Sequence, residues 1–439
     1  MIHRKFAISP FVLLCLIFQS SLAQGGSQWY RGSMHTHSFW EGGRDFPENI
    51  AKWYKNNGYN FVVFTEHDVI QEGEKWIPLP EGHSSIKKYQ NNFGNEWVEM
   101  VYDESIRSND LPRFITGDRP YVRVRVKPID EYRSRFEESN QFLVMRGQEI
   151  TDRHSVHLLA FHVDEIMKKS GGEIEERGRM IKENVAYVDE YRNRTGRNVY
   201  PVLAHPNYNW AITAEMMIDA GDLRFFEVYN GVPESNNDGD KIRPGTDRIW
   251  DIVLAHRIEN KDGNIIYGLA TDDAHDYDGG FNGRNVGPGK GWVMVRSNTL
   301  SANAILDALD HGDFYSSTGV ILKNLQFDGT TLTVEIDPKE GEKYTVEYIG
   351  TRRNFDKRSK RAIDADGNPL PNSTRLYSNQ IGEIFKQTSE IKSNYTFTGD
   401  ELYVRVRIVS SADQIDPFTS EVIGTQKAWV QPVPYNLNP

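Results

Sequence analysis

The chain has 439 residues, of which 38% are hydrophobic and 26% are charged, and its mean hydropathy is −0.60. This composition is typical of a globular protein and excludes the disordered, fibrous and polytopic membrane classes. Acidic residues outnumber basic residues by 62 to 51, which gives a formal charge of −11. No stretch concentrates lysine and arginine into a stripe, so nucleic acid is not an expected partner.

The first 23 residues have the pattern of a secretory signal. Two basic residues precede an apolar run over 6–18, and Ser21 and Ala23 place small side chains before a cleavage site. An uncleaved anchor is the alternative, but the run is shorter than the roughly 20 residues that a membrane-spanning helix needs. Cys15, the only cysteine, lies in this segment. We therefore expect a secreted or periplasmic protein with no membrane span and no disulfide after cleavage.

The first helix is predicted after Asp45, which can cap it, with Pro47 in its first turn and Gly58 at its end. Short apolar runs that end abruptly in polar residues then recur, and each predicts a buried strand: 60–64, 142–145, 156–161, 199–204, 225–229 and 265–270. Helical patterns lie between these runs, at 174–191, 213–220 and 302–311. Alternating strands and helices predict a parallel sheet, and their repetition favours a barrel.

Two regions depart from this alternation. Residues 69–140 carry many charges and few clear strands, so we expect an insertion that forms either part of a substrate rim or a solvated surface excursion. From residue 321 the pattern alternates apolar and polar residues with period two, as in 332–336, 344–348 and 402–408. We expect 321–439 to be a small antiparallel β-sandwich with a structural role or a weak carbohydrate or surface contact.

Potential metal ligands follow the predicted strands. His35 and His37 are two residues apart, so both can point to one face of a strand and approach one ion. The others that end or lie on predicted strands are His67, Glu149, His157, His205, Asp273 and His275. Six of the twelve histidines thus fall at strand ends, where barrels of alternating strands and helices place their chemistry. Of the remaining histidines, His154 is the closest candidate, because it lies three residues before His157 in a loop-like position.

The chain resembles the polymerase and histidinol phosphatase (PHP) superfamily of metal-dependent hydrolases from about residue 29 to 317. The matching motifs are Met34-His35-Thr36-His37, Phe64-Thr65-Glu66-His67-Asp68, Gly147-Gln148-Glu149, Val156-His157-Leu158, Ala204-His205-Pro206 and Asp273-Ala274-His275. The run over 225–231 and the fused sandwich are similar to a secreted branch that includes carbamate and aryl-ester hydrolases. The resemblance implies an α/β fold: a distorted seven-stranded β/α barrel, similar to the TIM barrel, over residues 24–320.

The resemblance also implies two or three divalent ions, commonly manganese, zinc or iron. By residue, the first ion would be held by His35, His37 and Asp273, and Glu149 would bridge it to a second ion held by His157 and His205. His67 and His275 would face a third site. Imidazole and carboxylate ligands suit these borderline metals, and a bridging carboxylate keeps two cations close enough to share a hydroxide.

Two departures from the family pattern affect the third site. Gly42 stands where the family usually has an aspartate, and Glu66 stands in place of the aspartate that usually precedes the histidine. Glu41 is a possible substitute with a different reach and direction. If the third site is empty, His67 or His275 becomes free to donate a proton to the leaving group.

Candidate substrate contacts follow the last metal motif and one earlier strand. Arg284 and Lys290, in a glycine-rich stretch, would suit an anionic small molecule, although a turn with solvated cations is an equal alternative. Tyr229 and Asn230 end a strand on the same rim and would either contact substrate or pack in the wall.

Three functions compete. The leading hypothesis is a secreted metal-dependent hydrolase whose metal-bridging hydroxide attacks a phosphate ester, as a phosphatase or phosphodiesterase does. The second keeps the metals and cleaves a carbamate, aryl ester or amide. The third is a non-catalytic module that binds metal or glycan. No Gly-x-Ser-x-Gly elbow, cysteine nucleophile of the mature chain or glycine-rich phosphate loop supports another chemistry.

Overall fold

The computed structural model describes residues 26–112, 115–260, 265–278 and 286–434. The predicted signal segment 1–23, with Cys15, lies outside the described residues, and so does Arg284. Among the residues that the structure describes, no helix is both long enough and apolar enough to cross a membrane.

Up to residue 317, strands and helices alternate along most of the chain. The strands are β1 (Gln28–Ser33), β2 (Phe61–His67), β3 (Lys75–Pro80), β4 (Met100–Tyr102), β5 (Tyr121–Val126), β6 (Leu143–Thr151), β7 (His157–Phe161), β8 (Pro201–Leu203), β9 (Phe225–Asn230), β10 (Tyr267–Thr271), β11 (Trp292–Ser297) and β12 (Phe314–Ser317). The helices are α1 (Pro47–Asn56), α2 (Ser84–Phe93), α3 (Ile129–Tyr132), α4 (Arg177–Thr195), α5 (Ala214–Ile218), α6 (Thr246–Glu259) and α7 (Ala302–Asp310).

The N-cap of the first helix is one residue later than predicted, at Phe46 in place of Asp45. Phe46 occupies the N-cap position without a side-chain cap bond, and Pro47, whose φ is fixed by its ring, starts α1. The Asp45 carboxylate instead accepts hydrogen bonds from the Phe46 amide and the Asn49 side chain, at 2.8 and 2.7 Å. Gly58, with φ +76°, follows the helix as expected.

The central sheet runs in the order β10-β9-β8-β7-β6-β2-β1-β11-β12. The pairs β1–β2, β2–β6, β8–β9 and β9–β10 are parallel. The predicted parallel sheet has antiparallel members: β7 is antiparallel to both β6 and β8, and β11 is antiparallel to β1 and β12. Only residues 152–156 separate β6 from β7, and a parallel connection needs a crossover of about a dozen residues or more.

The two ends of the parallel part approach each other without a regular strand ladder. An isolated parallel bridge joins Thr36 to Ala274, just beyond β1 and β10. The backbone N–H and C=O groups at the outer edge of β10 form hydrogen bonds largely with side chains. The Gln431 side chain accepts from the Gly268 amide and donates to the Gly268 carbonyl, both at 2.9 Å. The Ser316 hydroxyl donates to the same carbonyl at 2.8 Å. The fold is therefore mixed α/β with a large, in part parallel, sheet.

The predicted insertion has its own small sheet and core. Strands β3, β5 and β4 form an antiparallel sheet in that order, and α2 packs with them. Their buried side chains form one cluster that also includes residues of the loop after β1: Phe39, Trp40, Phe46, Ile77, Leu79, Ile86, Tyr89, Val98, Ile115, Val122, Val124 and Val126. The insertion is thus a folded unit attached to the loop that follows β1.

The C-terminal region is built from antiparallel strands, as its period-two pattern predicted. They are β13 (Leu322–Phe327), β14 (Thr331–Ile336), β15 (Tyr344–Arg352), β16 (Ser359–Lys360), β17 (Leu376–Tyr377), β18 (Glu383–Thr388), β19 (Lys392–Thr396), β20 (Glu401–Ile415) and β21 (Val422–Pro434). Strands β13, β14 and β19 form one sheet, whereas β21, β20, β15 and β18 extend the central sheet beyond β12. Apolar residues of both sheets share one core, for example Val334, Val346 and Val404.

A buried ion network joins the C-terminal region to α6. Arg405 of β20 is 1% exposed and donates from Nε and Nη2 to both carboxylate oxygens of Asp251, at 2.8 and 2.7 Å. Its Nη1 lies 2.8 Å from Asp247, which also pairs with Arg407 at 3.0 Å. Bidentate pairs of this kind fix orientation as well as position, so the network holds β20 in register against α6.

Candidate metal centre

Eight side chains that the sequence selected meet at one edge of the central sheet. His35 and His37 follow β1, His67 ends β2, Glu149 lies near the end of β6, His157 begins β7, His205 follows β8, and Asp273 and His275 follow β10. The antiparallel direction of β7 explains why His157 stands at the start of its strand and still reaches this edge. His154, by contrast, lies in an exposed turn with φ +59° and has no place in the cluster.

Glu149 lies at the centre of the cluster, and its side chain is only 1% exposed. One carboxylate oxygen, Oε2, is 3.3 Å from Nε2 of His35, 3.3 Å from Nε2 of His37 and 2.8 Å from Nδ1 of His67. The other oxygen, Oε1, is 2.9 Å from Nδ1 of His157 and 3.5 Å from Nε2 of His205. The two oxygens thus face two different sets of imidazoles.

Within this cluster, three groups of side chains converge closely enough to hold an ion each. They are His35, His37 and Asp273; Glu149, His157 and His205; and His37, His67 and His275, and the ligand atoms within each group lie within 4.8 Å of one another. Several of these atoms are buried without a hydrogen-bond partner, including His35 Nε2, Asp273 Oδ1 and both oxygens of Glu149. Buried polar atoms are rarely left unpaired, so this donor set fits divalent metal ions.

Glu227 of β9 forms hydrogen bonds with the potential ligands His35 and His205 and holds them in position. Its Oε1 lies 2.7 Å from Nδ1 of His35 and accepts a hydrogen bond from the Thr271 hydroxyl at 2.7 Å. Its Oε2 accepts from the His205 amide and the Asn230 side chain, each at 2.7 Å. Because a carboxylate only accepts, it fixes the proton of His35 on Nδ1 and leaves the Nε2 lone pair directed at the cluster.

Backbone strain accompanies two of the potential ligands. Asp273 has φ +51° and His205 has φ +25°, both in the region that costs a residue with a side chain about 1–3 kcal/mol. Asn230 supports Asp273 by donating to its Oδ2 at 3.1 Å. Strain of this kind persists where the surroundings hold it in place and is concentrated at functional sites.

The third group differs from the pattern that the family resemblance implies. His67 and His275 face each other with 3.5 Å between their Nε2 atoms, and Nδ1 of His275 donates to the Asp273 carbonyl at 2.8 Å. A Cβ added at Gly42 would lie 2.7 Å from Cδ2 of His67, and the residue has φ +88°. A side chain at position 42 would therefore have a strained backbone and would displace the His67 ring.

The two glutamates near that position, Glu66 and Glu41, have contacts elsewhere. The Glu66 carboxylate accepts from the Ser38 amide and hydroxyl, the Glu41 amide and the Gln71 side chain, at 2.6–3.2 Å. Glu66 therefore ties down the loop after β1. The Glu41 side chain is 52% exposed and lies 3.8 Å from the Lys75 amine.

Burial and mutual charge set the protonation states in the cluster. Burial alone would raise the pKa of Glu149 and Asp273, but the surrounding histidines outweigh it and hold both pKa values well below their ordinary range. Burial opposes charge on His37, yet Asp273 and Glu149 raise its pKa to about 9. For His275, burial and then the neighbouring His37 lower the pKa to about 3. The two carboxylates are thus anions and His275 is a neutral imidazole, as metal ligation requires, whereas His37 carries a proton that a metal ion has to displace.

The structure does not bring Lys290 to the cavity. Its side chain is 1% exposed, with Nζ donating to the Gly231 carbonyl at 3.1 Å and lying 3.5 Å from the Asp416 carboxylate. The backbone amides of residues 289–291 donate to the buried Asp272 at 2.7–3.0 Å. The expectation that Lys290 and free amides of residues 289–291 face the substrate is therefore wrong, because Lys290 is buried and a buried carboxylate takes the amides.

The two rim residues of β9 also point to structural roles. Tyr229 accepts a hydrogen bond from Gln414 at 2.8 Å and packs against Trp429, and burial raises its pKa. Asn230 is 1% exposed and contacts Glu227 and the Asp273 carboxylate. Tyr229 therefore packs in the wall, which is one of the two alternatives that the sequence left open. Asn230 instead positions a potential metal ligand, Asp273.

A cavity of about 700 Å³ opens onto the cluster. Its inner surface is formed by six of the eight clustered side chains: His67, Glu149, His157, His205, Asp273 and His275. Arg44 also lines it, with Nη1 3.5 Å from the Asp276 carboxylate. The sequence analysis missed Arg44 and Glu227. A glutamate inside the otherwise apolar run of β9 was a usable signal, since a buried charge requires partners.

No protein-family profile matches the sequence, and no curated protein matches it as a relative. Among solved structures, the chain is similar to a two-domain protein of Bacteroides vulgatus that is described as containing a predicted PHP-like metal-dependent phosphoesterase. The two chains are 13% identical and superpose with a TM-score of 0.38, over 92% of this chain and 96% of the other.

Proposed function

We propose that this protein is a metal-dependent hydrolase that cleaves phosphate esters. The observation that carries the proposal is the buried donor set around Glu149, in which three groups of His, Asp and Glu side chains overlap at the floor of an open cavity. A site with several adjacent cations stabilises the negative charge that develops on a phosphoryl group during displacement.

The ligand assignment follows the three groups. His35, His37 and Asp273 would hold one ion, and Glu149 would link it to a second ion held with His157 and His205. His67 and His275, beside His37, would hold a third. When bound, such ions lower the pKa of water and polarise phosphoryl oxygens.

The chain's own residues perform the remaining tasks. Glu227 keeps the Nε2 lone pair of His35 directed at the cluster, and Asn230 keeps Asp273 in place. Where a third ion is not bound, the facing Nε2 atoms of His67 and His275 can share a proton and pass it to the leaving group. Arg44, at the wall of the cavity, supplies positive charge for an anionic substrate.

We also propose the organisation that the sequence predicted. Residues 1–23 would direct secretion or periplasmic export, residues 24–320 would form a PHP-type barrel of seven strands, and 321–439 would form a β-sandwich. The short bridge between Thr36 and Ala274 supports the barrel, and the shared core of β14, β15 and β20 supports the sandwich.

A panel of substrates with one leaving group tests the reaction class. The 4-nitrophenyl phosphate monoester, phosphate diester, acetate and N-methylcarbamate release the same phenolate, so their rates compare the acyl and phosphoryl groups alone. We expect the protein reloaded with manganese, zinc or iron to hydrolyse a phosphate ester. Preference for the carbamate or acetate would instead support the second hypothesis, which the withdrawal of Lys290 from the cavity favours.

Variants of Glu149 test whether this site is responsible. Glu149→Ala and the nearly isosteric Glu149→Gln are both expected to lose nearly all turnover, because each removes the carboxylate whose two oxygens face two different sets of imidazoles. Glu401→Gln is the matched control, since Glu401 is a buried carboxylate of β20 that binds no histidine. Turnover at the wild-type rate in a folded Glu149 variant would rule out the proposed mechanism, and no hydrolysis by any reloaded sample would favour a binding module.

A further inference from the structure

The cavity above the metal centre has two chemically different halves. Its inner half carries the His, Asp and Glu side chains and Arg44. Its outer half is mainly apolar and comes from the loop after β1 and from the insertion. We call this surface the outer wall and define it by six residues: Phe39, Trp40, Trp76, Ile77, Pro78 and Pro112.

The outer wall is fixed by the fold of the insertion. Strand β3, which carries Trp76 and Ile77, pairs with β5 along its whole length. The Trp40 indole donates to the Lys127 carbonyl at 2.9 Å, and the Lys75 amine donates to the Trp40 carbonyl. Wall and cavity are therefore formed before any ligand arrives, which reduces the entropic cost of binding.

Several polar groups along this wall already have partners, although the cavity lining also includes Glu41, whose side chain is 52% exposed. The Trp40 indole N–H binds the Lys127 carbonyl, and the Trp76 indole N–H donates to Glu74 at 2.7 Å. Asp110, which borders the wall, accepts a hydrogen bond from the Arg107 amide at 2.7 Å. The wall thus presents ring faces and aliphatic surface, which binds an apolar group better than a sugar or another polyol.

We propose that the insertion selects phosphate esters whose leaving group is a bulky apolar alcohol or phenol. This inference rests on the proposed function. The phosphoryl group would occupy the charged inner half, while the leaving group lies against the outer wall. In the reaction, the oxygen of water bonds to phosphorus and the P–O bond to the leaving group breaks. The alcohol then departs with a proton that came from that water.

A series of 4-alkylphenyl phosphates measures the apolar contact without changing the chemistry. Phenyl, 4-methylphenyl, 4-ethylphenyl and 4-propylphenyl phosphate have leaving groups of nearly equal acidity and differ in apolar size. If the alkyl group is buried against the wall, kcat/KM is expected to rise about three- to fourfold with each added carbon. The matching 4-alkylbenzylphosphonates, which are not hydrolysed, should show the same trend in Kd by titration calorimetry.

Trp76→Ala tests whether the insertion provides this contact. Trp76 is only partly buried, so the variant is expected to fold. The increase in kcat/KM with each added carbon should fall by at least half. Tyr102→Ala is the matched control, because Tyr102 is an aromatic residue of the same insertion that is 66% exposed and does not line this cavity. Its dependence on alkyl length should equal that of the wild-type protein.

The possible outcomes separate this inference from the proposed function. Hydrolysis of all the phosphates with no dependence on alkyl length would overturn the inference and leave the phosphoesterase function standing. An equal loss of dependence in Tyr102→Ala and Trp76→Ala would also overturn it. Alkyl-dependent phosphonate binding without hydrolysis of any phosphate would support an apolar subsite and contradict the proposed reaction.

Discussion

Glu227→Gln is expected to weaken metal binding while leaving the fold intact. Four groups surround the Glu227 carboxylate: His35 Nδ1, the Thr271 hydroxyl, the His205 amide and the Asn230 side chain, each at 2.7 Å. Glutamine has one accepting oxygen and one donating NH₂ group. If the NH₂ faces His205 and Asn230, two donors oppose it.

If the NH₂ group instead faces His35, the imidazole must accept at Nδ1 and carry its proton on Nε2. That proton would occupy the position from which Nε2 faces Glu149 and Asp273 at 3.3 Å. Loss of an outer carboxylate of this kind typically lowers metal affinity 10- to 100-fold, which is about 1.4–2.7 kcal/mol. In the first orientation, the opposed donors would instead cost ~1–3 kcal/mol of folding free energy.

Chelator competition on the apoprotein measures the affinity, and urea unfolding in excess chelator measures the stability without metal. Glu401→Gln is the control, because the Glu401 carboxylate also accepts several hydrogen bonds but lies outside the cluster. The control should lose stability and keep metal affinity. Wild-type metal affinity in folded Glu227→Gln would refute the positioning role.

Three further predictions concern other parts of the molecule. Gly42→Asp should destabilise the protein by about 1–3 kcal/mol and should bind no additional ion, because its Cβ would clash with the His67 ring. Thermal unfolding measures the stability and elemental analysis measures the metal content. An extra bound ion would contradict the steric account. Arg405→Met should lower the free energy of unfolding in urea by about 3–5 kcal/mol, because it removes the paired cation of the buried Asp251 carboxylate. Arg405→Met combined with Asp251→Leu should recover much of this loss, and equal losses in the single and double variants would argue against the charge account. Burial raises the pKa of Glu48 from 4.5 to about 7, so its contribution to stability is complete below about pH 4.5 and is lost as the pH rises to 7. Between pH 4.5 and pH 7, the unfolding free energy of Glu48→Gln should therefore fall by about 3 kcal/mol less than that of the wild-type protein. Parallel pH profiles of the two unfolding free energies would exclude Glu48 as the cause of this pH dependence.

The sequence predicted which side chains meet at the edge of the sheet, because the information for this clustering is local. Six of the eight candidate ligands adjoin or lie in an apolar run, the exceptions being His35 and His37, and adjacent strands of one sheet bring such positions together. The direction of β7 was not predicted, because an apolar run carries no direction. The length of the connection over 152–156 did hold that information, since it is too short for a parallel crossover.

The substrate contacts were less predictable because they depend on distant parts of the chain. Lys290 is buried against Asp416, which lies far along the sequence in the segment between β20 and β21. Tyr229 is likewise covered by Gln414 and Trp429 of the C-terminal strands. Glycines near cations predict an anion site only if their amides are free, and the chain itself contains the acceptor, Asp272, that occupies them.

Metal content per chain tests most directly whether the cluster around Glu149 is a metal centre. The mature protein is purified without chelator or nickel affinity, reloaded with manganese, zinc or iron, and measured by elemental analysis. We expect two or three ions per chain, in line with the three groups of ligands, and fewer ions in Glu149→Gln. A wild-type content near zero after reloading would contradict a metal-dependent hydrolase.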